Sequence, residues 1–188
     1  GTIGNLSATQ IENLAVTQIK SLNATAFSAL TPGQLAGFSS TQLHSISPAN
    51  VAAMTTGQFD GLTAGALNVL SLVQLRALST TNINNLSASP LDGFAIAKFA
   101  LLTTTQINAL STANLLGLTA TQIDGLANTQ IAGLSTGEFA SLTAAELGEL
   151  TTLQMPALTV TELGALTSAQ LAGFNSTQLG RLTATQLA

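Results

Sequence analysis

Large apolar residues recur at two fixed positions in every eight residues of the chain. Steps of eight from Leu6 to Leu182 meet Leu, Ile, Met or Phe each time, and steps of eight from Ile3 to Leu187 meet only large apolar residues. No insertion or deletion breaks this register. We therefore predict one continuous apolar core, the seam, represented by Leu6, Ile11, Leu14, Ile19, Leu126 and Ile131.

The polar positions of the repeat are nearly as regular. Ser or Thr usually follows the first apolar residue, and every Gln of the protein directly precedes the second one. Glu138, Glu146 and Glu162 occupy the same position as Gln. The consensus octad is therefore Leu-Ser/Thr-x-x-Gln-Leu/Ile-x-small.

Neither a long helix nor a flat strand fits this period. Eight helical residues turn through about 800°, so the apolar pair would drift by about 80° per octad and leave no fixed face to bury. In a strand, apolar spacings of three and five would alternate between opposite faces of the sheet.

The octad instead has the pattern of a helix N-terminus. In Ser/Thr-x-x-Gln the hydroxyl accepts from the N3 amide and the Gln side chain accepts from the N-cap amide, which is a capping box. The flanking apolar residues are then the two partners of a hydrophobic staple. We predict capping at Ser7, Gln10, Thr31, Gln34, Thr119, Gln122, Thr183 and Gln186.

Other residues mark both helix ends. Pro32 and Pro48 fall at the first helical position, where proline is favoured. Gly or Asn often closes the octad, which predicts a left-handed C-cap, at Asn13, Gly37, Gly61, Gly93, Gly125, Gly133 and Gly173. The sequence predicts an all-α solenoid with one short capped helix per octad. The alternative is a β-solenoid with Gln and Thr ladders along its outside.

An isolated octad cannot fold. Its two large side chains contribute about 3–6 kcal/mol on burial, whereas ordering each residue costs about 1.5 kcal/mol. Stacked octads share the seam, so stability grows along the array. We expect residues 1–188 to form a single solenoid domain, and the incomplete octads at both ends indicate a segment of a longer array.

Composition excludes several classes of partner. Hydrophobic residues make up 46% of the chain, but charged residues only 6%, and the net charge is −4. The chain therefore lacks the basic surface that nucleic acid requires. No apolar run approaches the roughly 18 residues of a membrane-spanning helix, and Cys is absent.

Candidate catalytic residues are isolated. His44, the single histidine, occupies a variable outer position of the octad, shared with Glu12 and Asp60. Glu138, Glu146 and Glu162 fit capping better than acid–base catalysis, because Glu at N3 also suits the helix dipole. We predict no catalytic residue, metal site or cofactor, and therefore no enzyme.

The octad, as in residues 118–126, resembles the Leu-Thr-x-x-Gln repeat arrays of large secreted or cell-surface bacterial proteins that are adhesin-like or filament-forming. The resemblance implies a structural repeat protein at the bacterial cell surface, serving as a stalk, fibre or self-assembling filament. The uncapped array ends predict end-to-end self-association. The alternative is an adhesive module whose Ser/Thr/Gln-rich face holds a glycan, a protein or an ice surface.

Overall fold

The computed structural model describes residues 2–87, 91 and 93–188. The chain forms two compact units, Gly1–Leu102 and Thr103–Ala188. The octad register of the sequence runs unbroken through residue 103. That residues 1–188 form a single solenoid domain stays a prediction.

Short helices, one for each octad that the structure describes in full, build both units. In the first unit a 3-10 helix, Thr2–Asn5, precedes the α-helices Ala8–Glu12, Val16–Lys20, Ala24–Ser28, Pro32–Ala36, Ser40–Ser45, Pro48–Ala52, Thr56–Asp60, Ala64–Val69, Leu72–Ala77, Thr80–Asn84 and Ile96–Phe99. In the second unit the α-helices are Thr104–Ile107, Thr112–Leu116, Ala120–Asp124, Asn128–Ile131, Thr136–Ser141, Ala144–Gly148, Val160–Gly164, Ser168–Leu171 and Ser176–Leu179, and the 3-10 helices are Met155–Ala157 and Thr185–Leu187. No strand occurs among the described residues. The predicted all-α solenoid is therefore confirmed, and the β-solenoid alternative is wrong.

The two apolar positions of the octad form the core. Ile11 and Ile19 are fully buried, and Ile131 and Leu126 are 1% and 6% exposed. Leu6 and Leu14 are half-buried. They lie in the first turn of the solenoid, and each such turn is called a coil below. Each of the described α-helices has only four to six residues, too few to be stable alone. Their stability therefore comes from seam residues packed between neighbouring coils.

Hydrogen bonds between coils give the length of one turn of the solenoid. They join residues between 25 and 31 positions apart, and a separation of 28 recurs in both units. One coil therefore takes about 28 residues, which is 28/8 = 3.5 octads. Because this number is a half-integer, a helix in one coil lies over the junction between two helices of the coil before it.

The predicted left-handed C-caps are wrong. Gly37, Gly61 and Gly125 end their helices with φ of −77°, −75° and −79°, in the right-handed region. No described residue has a positive φ. The chain keeps turning in the same sense after each helix, and the N–H of the next seam residue bonds back three residues, as Leu62 does to Phe59 at 3.0 Å.

Close approach of the neighbouring coil explains the small residue at this position. A Cβ on Gly61 would lie 2.6 Å from the Cβ of Pro32, in the preceding coil. A Cβ on Gly133 would overlap the Thr104 side chain, and one on Gly173 would overlap the backbone carbonyl of Ala144. In each pair the residue met is the first of a helix in the coil before. Glycine is therefore selected here for space between coils rather than for its backbone freedom.

Gly173→Ala is expected to destabilise the second unit by about 1–3 kcal/mol, because the rigid Ala144 carbonyl cannot move aside for the methyl group. Gly137→Ala is the matched control, since a Cβ there meets nothing within 4 Å. It lies inside the helix Thr136–Ser141, so alanine should stabilise by about 0.5–1 kcal/mol. Urea denaturation followed by circular dichroism measures both changes. Changes of the same sign in the free energy of unfolding of the two variants would contradict the proposed contact between coils.

Candidate functional site

Reciprocal capping bonds lie at the positions that the sequence predicts in the first unit. The Ser7 N–H donates to Gln10 Oε1 at 2.8 Å, and the Gln10 N–H donates to Ser7 Oγ at 3.2 Å. Thr31 and Gln34 repeat this arrangement at 2.7 and 3.2 Å. Each box satisfies two N–H groups that the helix itself leaves without partners.

The second unit has the same arrangement. The Thr119 N–H donates to Gln122 Oε1 at 2.9 Å, and the Gln122 N–H donates to Thr119 Oγ1 at 3.3 Å. Thr183 and Gln186 exchange bonds of 2.7 and 3.3 Å, here around the 3-10 helix Thr185–Leu187 rather than an α-helix.

The capping glutamine also has a second partner, in the preceding coil. Gln42 Nε2 donates to the carbonyl oxygens of Ile11, Glu12 and Leu14 at 3.1, 3.1 and 2.9 Å. Ile11 and Glu12 end the helix Ala8–Glu12, and the last carbonyls of a helix have no partner within it. One side chain therefore caps the start of its own helix with Oε1 and the end of an earlier helix with Nε2.

These contacts recur along both units and form what we call the amide ladder. A glutamine Nε2 donates to carbonyls 28 to 31 residues earlier at Gln34, Gln42, Gln58, Gln74, Gln154, Gln170, Gln178 and Gln186. Gln58 and Gln178 are each 1% exposed, and Gln74 and Gln154 are each 2% exposed. The ladder glutamines are buried or half-buried, so they do not form part of the Ser/Thr/Gln-rich outer face expected from the sequence.

Where asparagine replaces the ladder glutamine, its side chain keeps the bond to the preceding coil but does not cap the N-terminus of its own helix. Asn50 Nδ2 donates to the Leu22 carbonyl at 2.8 Å, and Asn82 Nδ2 donates to the Met54 carbonyl at 3.0 Å. Both residues lie in octads without a capping box. The side chain is one methylene shorter and still reaches the preceding coil from its buried position.

Lys98 shows how the two functions can be divided between residues. Its Nζ donates to the Leu70 carbonyl at 2.5 Å, 28 residues earlier, as a ladder glutamine would. An ammonium group cannot accept a hydrogen bond, so it cannot cap the N–H of Ala95. Asn68 does so instead, with Oδ1 2.7 Å from that nitrogen.

Side chains at the variable outer position of the octad, which Asp60 and His44 share, also bond to a neighbouring coil. Asp60 Oδ1 accepts from the Ser87 N–H at 3.1 Å, and His44 Nδ1 lies 3.2 Å from the Val69 carbonyl oxygen. Both side chains are exposed. The sequence placed these residues in solvent and gave no indication of these bonds, because their partners lie 25 to 27 residues away.

Glu162 occupies the position of a ladder glutamine but has a carboxylate in place of the amide. Its Oε2 accepts from the Thr159 N–H at 2.6 Å, but its Oε1 is buried and has no hydrogen-bond partner among the described residues. The residue is 2% exposed. Ile131 and Leu134 lie 31 and 28 residues earlier, which are the spacings of the ladder bonds, so a glutamine here would be expected to donate to their carbonyls, whereas a carboxylate can only accept.

Glu162→Gln is therefore expected to stabilise the second unit by about 1–3 kcal/mol, because it supplies the missing donor without a change in side-chain size. Glu138→Gln and Glu146→Gln are matched controls in the same unit, since both carboxylates are only half-buried. Their effects should be much smaller. Chemical denaturation compares the three variants. A Glu162→Gln protein that is less stable than the parent would show that the ladder geometry does not extend to this octad.

One signal in the sequence could have indicated the second function of glutamine. Capping alone accepts Glu as readily as Gln, and the helix dipole favours Glu. Nevertheless Gln greatly outnumbers Glu at this position. A preference for the amide over the carboxylate indicates that a donor is needed.

Among the described residues, no group of three or more His, Cys, Asp or Glu side chains is placed to hold a metal ion. In the same part of the chain, no helix is long and apolar enough to cross a membrane. Neither a protein-family model nor a curated protein sequence matches the chain. That the chain has no catalytic residue and no cofactor stays a prediction.

Proposed function

We propose that the chain is a structural repeat protein that serves as a stalk, fibre or self-assembling filament at the surface of a bacterial cell. The observation that carries the proposal is the amide ladder. Within each unit, separating two coils would both expose seam residues and break buried amide bonds, such as Gln58 Nε2 to the Leu30 carbonyl at 2.7 Å. Exposure of apolar side chains and loss of buried hydrogen bonds both raise the free energy needed to separate neighbouring coils. Such resistance to separation suits a protein that has to keep its length under mechanical load.

The first and last coils support end-to-end association. In the last coil an open apolar cavity of about 460 Å³ includes Leu163, Leu179 and Leu187, and Leu187 is 70% exposed. In the first coil Ile3 and Leu6 line a cavity of about 310 Å³. Two such surfaces on different copies have matching chemistry, and a head-to-tail contact of this kind does not close on itself.

Hydrogen-bonding groups at these surfaces also match. Gln18 Nε2 makes no hydrogen bond among the described residues, although its Oε1 accepts from the Ala15 N–H at 2.7 Å. In the last coil the carbonyls of Leu166 and Phe174 hold the ladder position that accepts such an amide. A second copy stacked in register would therefore continue the amide ladder.

Electron microscopy and sedimentation of residues 1–188 test both parts of the proposal. We expect elongated particles that lengthen with concentration, and Leu6→Lys or Leu187→Glu should stop the lengthening. Val73→Lys is the control, because Val73 is 62% exposed and lies outside both end cavities. A monomer at every concentration would contradict end-to-end association, and compact, rounded particles would contradict the stalk or fibre.

The proposed location at the bacterial surface is supported by the resemblance of the octad to surface-protein repeats. Protease treatment of intact cells that make the protein should remove it, and the same cells should retain their cytoplasmic proteins. Protection in intact cells, with digestion after lysis, would contradict this location.

A further inference from the structure

A groove on the outer surface of the first unit is lined by residues that differ from the consensus octad. It has a volume of about 570 Å³ and is formed by three helices from successive coils, Val16–Lys20, Ser40–Ser45 and Ala64–Val69. This volume falls within the range of small-molecule sites, about 300–1,000 Å³. The lining residues that matter for a ligand are Val16, Lys20, Ser40, Thr41, His44 and Val69.

The residues of the groove are unusual for this chain. Lys20 is one of only four Lys and Arg residues, and His44 is the single histidine. They lie 24 residues apart in sequence but line the same groove, because their helices stack in successive coils. Val69 occupies the closing position of the octad, which elsewhere is mostly Gly, Ala, Asn or Ser. Departures from a strict repeat are expected where a site is needed.

The histidine ring is oriented by the next coil. His44 Nδ1 lies 3.2 Å from the Val69 carbonyl oxygen. A carbonyl can only accept, so the hydrogen bond requires a proton on Nδ1. The contact holds the ring in place and leaves Nε2 as the nitrogen that is available to a ligand.

Of the other polar groups that line the groove, the Ser45 hydroxyl donates to the Gln42 carbonyl at 2.7 Å, and the remaining three make no such contact among the described residues. These three, the Lys20 ammonium and the Ser40 and Thr41 hydroxyls, make no hydrogen bond or ion pair among the described residues. None of the lining residues that the structure describes is acidic. A cation, two hydroxyls and an imidazole nitrogen therefore face the same space, with Val16 and Val69 as apolar surfaces beside them.

We propose that this groove binds a small hydroxylated carboxylate of the sugar-acid class. The carboxylate would pair with Lys20, and the ligand hydroxyls would bond to His44 Nε2, Ser40 and Thr41. The apolar face of the sugar ring would cover Val16 and Val69. A neutral sugar would lack the charge pair, and a simple anion would leave the hydroxyl and imidazole groups without partners. The site is independent of the proposed structural role.

Calorimetric titration of residues 1–188 with galacturonate tests the proposal, with galactose and acetate as ligands that each carry half of the chemistry. We expect saturable binding of galacturonate, and at least tenfold weaker binding of galactose and of acetate. Lys20→Met and His44→Ala should each weaken galacturonate binding at least tenfold. Both residues are exposed, so the fold should be retained, which circular dichroism verifies.

Arg76→Met is the matched control, because Arg76 is an exposed cation at the same octad position as Lys20 and His44 but does not line the groove. It should bind galacturonate as the parent does. The proposal is overturned if galacturonate does not saturate, if galactose or acetate binds equally well, or if Arg76→Met weakens binding as much as Lys20→Met.

Discussion

Ile131→Asp is expected to destabilise the second unit by more than about 4 kcal/mol, enough to unfold the coils around it. Ile131 is 1% exposed and lies in the seam, so the substitution buries an unpaired carboxylate and removes a large apolar contact. Because each coil depends on its neighbours, the loss should spread beyond one octad. Thermal unfolding monitored by far-UV circular dichroism measures the effect.

Asp124→Ala is the matched control for this substitution. Asp124 is exposed and ends the helix Ala120–Asp124 in the same unit. Its replacement should change stability by less than about 0.5 kcal/mol. Equal effects of the two substitutions would mean that the apolar positions of the octad do not form the core.

Gln74→Glu is expected to destabilise the first unit by about 2–4 kcal/mol, although it changes a single side-chain group from donor to acceptor. Gln74 is 2% exposed, and its Nε2 lies 2.9 and 2.8 Å from the carbonyl oxygens of Leu43 and Ile46. Glutamate preserves the capping bond to the Ser71 N–H but places an acceptor against those two carbonyls. Urea denaturation provides the measurement.

Gln18→Glu separates the capping function from the ladder function in the same unit. Gln18 is exposed, caps the Ala15 N–H at 2.7 Å, and makes no Nε2 hydrogen bond among the described residues. Glutamate retains that capping bond, so stability should change by less than about 0.5 kcal/mol. A loss as large as that of Gln74→Glu would show that the cost arises from the negative charge and not from the lost ladder bond.

Local structure was predictable from the sequence because its causes are local. The capping box of Ser7 and Gln10 and the staple of Leu6 and Ile11 act within a span of six residues, and the octad shows them repeatedly. These motifs were sufficient to choose helices over strands. The end of each octad was predicted wrongly, as at Gly61, because the need for a small residue there comes from Pro32 in another coil.

Contacts between coils could not be predicted because their spacing does not match the repeat. The ladder bonds of Gln42 span 28 to 31 residues, whereas the sequence shows only a period of eight. The number of octads per coil depends on how the coils pack, which the capping pattern does not determine. The division of the two glutamine functions between Lys98 and Asn68, and the groove that Lys20 and His44 both line, follow from that packing.

Hydrogen exchange of the glutamine side-chain amides, resolved by NMR spectroscopy, tests the amide ladder most directly because it requires no substitution. The Nε2 protons of Gln74 are buried and donate to carbonyls of the preceding coil, whereas those of Gln18 are exposed and make no hydrogen bond among the described residues. We expect the Gln74 side-chain amide to exchange far more slowly than that of Gln18 under native conditions. Equal, rapid exchange at both positions in the folded protein would contradict the amide ladder.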